Sequence, residues 1–199
     1  MADQKISAMP SATTPLTGAE LVPLVQSGVN VKSTLSAFGQ YAVNTLANYG
    51  AFQDIDGPQT AAANTVKQLR INTTDFTQGV TISSNRITLT NAGVYSIIIS
   101  LQLYNAAANY DDFTLWPVIN GVAPAGSASV IAVPVKKGSV DGHTILTVQY
   151  TYQFSASGYF EFNWYNLNGD ASVVTFPASV VAPVHPAAAG VILSVIQVG

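Results

Sequence analysis

The alternation of apolar and polar side chains is the feature that most constrains this sequence. In the segments Ile145 to Phe154 and Tyr159 to Tyr165, every second residue is large and apolar, and the short turn 155–158 separates the two segments. Because successive side chains of a β-strand point to opposite faces, this period of two predicts two strands, each with one buried face.

Strand-like runs recur through residues 51–199, between turns that contain Gly, Asn and Pro. The runs are Val80–Ser83, Arg86–Thr90, Val94–Tyr104 and Thr114–Ile119. Ser84-Asn85 and Asn120-Gly121 fall where tight hairpin turns are expected, and Asn-Gly is the strongest short hairpin signal. The pattern predicts an all-β sandwich or barrel.

The final run, Val191 to Val198, is apolar on both of its faces. A sandwich core covers only one face of a strand, so we expect a neighbouring copy of the chain to cover the other. Residues of this run and of the long inner run are therefore predicted to lie in the core or at a subunit interface. They are Tyr95, Ile97, Ile99, Val191, Leu193, Val195, Ile192 and Ile196.

The composition excludes several classes of protein. Charged residues make up 9% and hydrophobic residues 48% of 199 residues, which argues against disorder. Seven Lys and Arg residues are too few for a phosphate-binding surface, so no nucleic-acid partner is expected. Mean hydropathy is +0.31, yet no run approaches the ~20 apolar residues of a spanning helix, so no membrane insertion is expected. The absence of cysteine excludes disulfides and thiol nucleophiles.

Residues 1–50 differ from the rest and are predicted to be a separate attachment segment. The short apolar run ELVPLV supplies the predicted anchor residues Leu21, Val22, Leu24 and Val25. Ser33 is predicted to cap a helix that runs to about Asn48. Its apolar spacing is compatible with a short oligomeric stalk and equally with a single helix packed on its own domain.

Chemical motifs are sparse. Asp141, His143 and Thr144 are close in sequence, but a catalytic triad is defined in space, so neither catalysis nor a cofactor is expected. Asp54 and Asp56 could begin a calcium loop, although the glutamate of that motif is missing and solvated turn acids are the simpler interpretation. No metal site is predicted.

Aromatic residues are concentrated between Tyr159 and Tyr165. Core or subunit packing is the favoured interpretation, because every second one belongs to the inward face of the predicted strand. If aromatic side chains contact a glycan or another protein, Tyr110 and Tyr165 are the better candidates.

The run Gly79 to Ile97, with the step Gly93-Val94-Tyr95, resembles the core signature of the tumour necrosis factor and complement globular-head superfamily. Phe113 to Gly121 resembles its next strand and hairpin, and the chain stops on an apolar strand as family members do. The resemblance implies that residues 51–199 form a ten-strand jelly roll that assembles as a homotrimer.

The N-terminal stretches Lys5–Pro10 and Thr17–Gln26, and the junction Tyr49–Asp54, are similar to fibre and appendage proteins of tailed bacteriophages. This similarity implies a non-enzymatic virion protein, made in the bacterial cytoplasm, that binds other virion proteins through residues 1–50. Its jelly roll would project outward as a short trimeric fibre, with host adhesion as a further role. The alternatives are a capsid head fibre or decoration protein without receptor role, and a free binding module like a complement head.

Overall fold

The computed structural model describes residues 16–39 and 48–199. Contacts between Cα atoms divide the chain into two compact units, Met1–Leu46 and Ala47–Gly199. Within the described ranges, no helix has both the length and the apolar character needed to cross a membrane.

The first unit contains a β-hairpin of strands β1 (Leu21–Gln26) and β2 (Val29–Thr34). Ser27 and Gly28 both have positive φ and form its two-residue turn. Pro23 lies within β1, where it is tolerated because each strand of a two-stranded sheet is an edge strand.

A helix begins directly after this hairpin and includes residues 35–39. The prediction that Ser33 caps the helix is wrong. Ser33 belongs to β2, and the cap is Thr34, whose hydroxyl accepts a hydrogen bond from the Ala37 N–H at 3.1 Å. Asn48 is buried in the second unit, directly before the first strand of that unit. The middle of the proposed stalk, residues 40–47, lies outside the described residues.

The second unit is an all-β sandwich. Its strands are β3 (Tyr49–Asp54), β4 (Lys67–Gln68), β5 (Thr73–Gln78), β6 (Val80–Ser83), β7 (Arg86–Leu89), β8 (Gly93–Asn105), β9 (Asp111–Ile119), β10 (Ser129–Val133), β11 (Gly142–Phe154), β12 (Tyr159–Asn166), β13 (Ala171–Val173) and β14 (Val191–Gln197).

Two antiparallel sheets form the sandwich. Sheet I has the order β10-β9-β12-β7-β6, with β4 paired to β12, and sheet II has the order β11-β8-β14-β3-β5, with β13 paired to β8. The chain crosses repeatedly between the sheets, as in a tumour-necrosis-factor-like jelly roll, so the predicted fold class is confirmed. The described strands of this unit number twelve rather than ten because β4 and β13 are short additional segments.

The core lies between the sheets and follows the predicted alternation. In β8, Tyr95, Ile97 and Ile99 are fully buried, and in β12 Phe160, Phe162 and Trp164 meet them from the opposite sheet. Each such side chain contributes about 2 kcal/mol by leaving water. The alternating pattern thus encodes which side of each strand faces inward.

Both predicted tight turns are present. Ser84 and Asn85 have φ of 50° and 62°, and Asn120 and Gly121 have φ of 49° and 83°, the left-handed values of a type I′ turn. After Gly121, however, only the Ile119–Val122 bridge forms, and β10 begins at Ser129. The Asn-Gly turn therefore leads into a loop before the next strand.

Candidate functional site: the outward faces of the two sheets

The outward face of sheet II carries almost no formal charge. Strands β8, β11 and β14 contain no Asp, Glu, Lys or Arg, and the one such residue of β3, Asp54, is buried on the core side. At the edge strand β5, the carboxylate of Asp75 accepts a hydrogen bond from the Gln53 amide at 2.6 Å. We call the outward surface of β3, β14, β8 and β11 the uncharged face.

Large apolar side chains stand among Ser, Thr and Gln on the uncharged face. Ile192 and Ile196 of β14 are 51% and 50% exposed, and Ile98 of β8 and Ile145 of β11 are also exposed on this face. Such a surface can be hydrated by neutral hydroxyl and amide groups, yet it loses far less hydration energy on burial than a charged surface would.

The eight residues predicted for the core or the interface divide between two places. Ile192 and Ile196 lie on the uncharged face, and the other six are fully buried between the sheets: Tyr95, Ile97, Ile99, Val191, Leu193 and Val195. The final strand is thus apolar on both sides because its two faces meet different surroundings.

A small polar cluster lies at one end of the uncharged face. The Tyr104 hydroxyl donates to the Asp141 carboxylate at 2.8 Å, and the Lys136 ammonium lies 3.1 Å from the same carboxylate. The hydrogen bond from Tyr104, followed by that from Lys136, lowers the pKa of Asp141. The hydrogen bond between Tyr104 and Asp141 also raises the pKa of Tyr104.

The geometry of this cluster does not make a catalytic triad. His143 stands on the outward face, where its ring lies 5.3 Å from that of Tyr104, whereas Thr144 pairs with Leu103 on the core side. Adjacent residues of a strand point to opposite faces, so the histidine and the hydroxyl cannot act together. The carboxylate of Asp141 is committed to Tyr104 and Lys136.

The outward face of sheet I is charged and aromatic. Trp116 and Tyr165 approach edge to face with ring centroids 6.1 Å apart, and Asn163 pairs in register with Trp116. Among the described residues, the side chains of these three make no hydrogen bond, so their polar groups are free for a ligand. We call Trp116, Asn163 and Tyr165 the aromatic face.

The charges beside the aromatic face satisfy one another. Arg86 pairs with Glu161 at 3.1 Å and lies 3.9 Å above the ring of Tyr159, while the Gln68 amide donates to Glu161 at 3.0 Å. These side chains hold the middle of the sheet in one arrangement. The predicted contact residue Tyr165 belongs to this face. The sequence pattern does not identify Trp116 or Asn163 as contact residues, because their accessibility depends on the strand pairing.

The other predicted contact, Tyr110, is exposed in the loop before β9. The adjacent Asp111 is not exposed to solvent. It is fully buried, and its carboxylate accepts three backbone N–H bonds of 2.7–2.8 Å from Asn168, Asp170 and Ala171. Asp111 therefore organises the loop before β13, a structural role that requires the tertiary fold.

Asp54 and Asp56 are likewise committed to protein groups. The buried carboxylate of Asp54 accepts hydrogen bonds from Arg70 and from the Gln59 amide, the latter at 2.7 Å, and Asp56 accepts one from the Asn72 amide at 2.6 Å. Within residues 16–39 and 48–199, no group of three or more metal-ligating side chains occurs. The interpretation of Asp54 as a solvated acid is therefore wrong, because a buried carboxylate needs partners of this kind.

The predicted anchor residues lie in the hairpin of the first unit. Leu21 and Val25 are exposed, while Val22 and Leu24 are half-buried on the opposite side of β1. An isolated two-stranded hairpin is only marginally stable in water, so these exposed apolar side chains suit a surface that a partner covers.

A turn closes the entrance to this hairpin. The Glu20 carboxylate accepts hydrogen bonds from the N–H groups of Thr17 and Gly18 and from the Thr17 hydroxyl, at 2.8–2.9 Å. These bonds lower the pKa of Glu20 to about 2. The carboxylate therefore stays ionised, and holds the turn, well below neutral pH.

Comparisons with known proteins reveal likeness of fold only. No family model matches the sequence, and no curated protein is similar to it in sequence. Crystal structures of murine APRIL are similar to this chain in structure. Those at pH 8.5 and pH 5.0 have TM-scores of 0.48 and 0.49 and identities of 6% and 8%, and each covers 76% of this chain and 99% of APRIL.

Proposed function

We propose that this protein is a non-enzymatic structural subunit of a tailed-phage virion, a short homotrimeric fibre. Residues 1–50 anchor it to other virion proteins, and the jelly roll projects outward to meet the host surface. The observation that carries the oligomeric part is the uncharged face, which exposes Ile98, Ile145, Ile192 and Ile196 with no formal charge on the outward side of four adjacent strands.

The size of the uncharged face fits a subunit interface. The four strands of the uncharged face are six to thirteen residues long. At about 4.8 Å between strands and 3.3 Å per residue, they cover on the order of 600 Å². A stable interface buries about 800 Å² on each partner, so this one sheet offers most of the area required.

Light scattering coupled to size exclusion tests the assembly. We expect a mass three times that of the 20.8 kDa chain at micromolar concentration. A monomer under these conditions would refute the proposed trimer.

The anchoring role is tested separately, on virus particles. We expect that deleting residues 1–30, which include β1 and its exposed Leu21 and Val25, leaves the trimer of the jelly roll intact but prevents incorporation into virions. Immunoblots of purified particles measure the incorporation. Truncated protein on the particles at the level of the full chain would show that the anchor lies elsewhere.

Adhesion to the host is supported by the aromatic face. Aromatic rings pack against the apolar faces of sugar rings, and the free amide of Asn163 with the hydroxyl of Tyr165 supplies donors and acceptors beside them. A head fibre or decoration protein without receptor role would have the same uncharged face, but its aromatic face would bind no host glycan. A free binding module would not need the exposed hairpin of the first unit.

A further inference from the structure

Residues 174–190 form an excursion from the middle of sheet II. Strands β13 and β14 both pair with β8, the first opposite Leu103–Asn105 and the second from Leu101 onward, so they lie end to end in one strand position. Both ends of the excursion are hydrogen-bonded to Gln102 of β8. The Val174 N–H donates to the Gln102 C=O at 3.0 Å, and the Gln102 N–H donates to the Gly190 C=O at 2.9 Å. We call residues 174–190 the arm.

The arm leaves the sheet on the side of the uncharged face. The ring of Phe176 near its base lies 5.2 Å from the ring of His143, which stands on that face. Two pairs of backbone hydrogen bonds, between Phe176 and Ala188 and between Ser179 and His185, close the arm into a ladder. Its shape is therefore defined before any partner binds, which reduces the entropy lost on docking.

The tip of the arm is apolar and open to solvent. Val180, Val181 and Val184 are 90%, 73% and 73% exposed. The whole arm, VTFPASVVAPVHPAAAG, contains no Asp, Glu, Lys or Arg. Soluble chains seldom present several neighbouring β-branched side chains in this way unless another surface covers them.

We propose that the tip of the arm docks on the uncharged face of a neighbouring copy of this chain. Three observations select this occupant: the arm starts on the uncharged face, neither surface carries a formal charge, and the face exposes isoleucines against which the valines can pack. The inference rests on the proposed homotrimer and names the contact that joins its subunits.

A ring is one assembly that these two surfaces can form. The arm and the face it covers are different parts of one chain, so each subunit offers one surface to the next copy and the other to the previous copy. Contacts of this head-to-tail kind close into a cyclic oligomer when the rotation between copies allows it. Two copies that exchange arms about a two-fold axis would instead form a dimer, which the threefold mass expected in solution distinguishes from the ring.

The experiment compares two double variants of the full chain that add the same charge. Val180→Asp with Val181→Asp places carboxylates on the tip, and Val122→Asp with Val130→Asp places them on exposed valines outside the arm. The trimer dissociation constant, measured by sedimentation over a dilution series, is expected to rise at least about thirtyfold for the tip variant and less than about twofold for the control. Near-ultraviolet circular dichroism verifies that both variants are folded.

The outcomes separate the two proposals. A monomeric wild-type chain overturns the proposed trimer, whereas a trimeric wild-type chain with equal dissociation constants for the two variants overturns only the arm. Val180→Thr with Val181→Thr, which keeps the shape of the tip, is expected to give a smaller increase than the Asp pair. If the trimer dissociation constants of the Thr variant and of the Asp variant both equal that of the wild type, docking of the tip is also contradicted.

A crosslinking measurement identifies the surface that the tip contacts. The chain has no cysteine, so Val181→Cys accepts a benzophenone maleimide at a single site. In mixed ¹⁴N- and ¹⁵N-labelled trimers, we expect crosslinked peptides of mixed isotope that join the arm to β8, β11 or β14. Crosslinks confined to a single copy, or directed to sheet I, would contradict the assignment.

Discussion

The two outward faces of the sandwich differ in how they meet water. The face of sheet I uses charges that are tied into a network by Arg86 and Glu161, and it leaves Trp116 and Tyr165 accessible beside them. The face of sheet II relies on Ser, Thr and Gln around exposed isoleucines. The difference teaches that a sheet face can be hydrated without charges, and that such a neutral face costs less free energy to bury than a charged one.

The largest expected effect separates the buried side of β14 from its exposed side. Leu193 is fully buried, and Leu193→Asp places a carboxylate between the sheets without a partner. The cost, about 3–5 kcal/mol or more, is comparable with the whole stability of a domain. We expect an unfolded, insoluble chain by near-ultraviolet circular dichroism. Leu193→Ile is the matched control and should cost less than about 1.5 kcal/mol. A soluble, cooperatively folded aspartate variant would contradict the inward assignment.

The next effect tests the exposed side of the same strand. Ile196→Asp leaves the core untouched, because the side chain is half exposed on the uncharged face. We expect a folded chain whose trimer dissociates at least about a hundredfold more readily in light scattering, since assembly would bury an unpaired charge. Val130→Asp puts the same charge on the outward side of sheet I and should leave the mass unchanged. Equal behaviour of the two variants would remove the distinction between the faces.

A smaller effect is expected on the aromatic face. Trp116→Ala and Tyr165→Ala remove the accessible rings of sheet I, and we expect about a tenfold loss of adsorption to host cells with no change in trimer mass. Tyr110→Ala removes the other predicted contact, in the exposed loop before β9, and tests that loop as the alternative site. If only Tyr110→Ala reduces adsorption, the contact lies at that loop and the aromatic face is not the receptor site.

The smallest effect concerns pH at the rim of the uncharged face. The pKa of Asp141 is lowered by the hydrogen bond from Tyr104 and by Lys136, so its ionised form stabilises the fold at any pH above its ordinary value of 3.8. That contribution is lost as the pH falls through the lower value of the folded chain. We expect the difference in thermal midpoint between wild type and Asp141→Asn to shrink between pH 6 and pH 2.5. A difference in thermal midpoint that stays constant over this pH range would show that the charge of the Asp141 carboxylate does not stabilise the fold.

The local residue pattern was sufficient to predict most of the strands of sheet I and most of β8, β11 and β14. Alternation predicted which side chains of β8 and β12 point inward, and left-handed residues at Ser84-Asn85 and Asn120-Gly121 predicted tight turns. These signals are readable because period and turn chemistry depend only on neighbouring residues.

Other features depend on partners that are distant in sequence. Asp54 is buried because Arg70 and Gln59 reach it, and Asp111 is buried because the loop before β13 wraps around its carboxylate. Nothing local distinguishes these acids from solvated ones. The same holds for Asn48, whose side-chain amide donates a hydrogen bond to the Tyr95 hydroxyl at 2.8 Å in the tertiary fold.

The sequence by itself determined an all-β domain and a last strand that is apolar on both faces. Only the tertiary structure decided that Leu193 lies in the core while Ile196 faces outward, that four strands align into one uncharged face, and that the arm rises from it. The physical reason is that periodicity fixes which residues share a side of a strand, whereas strand pairing and sheet packing decide what each side meets.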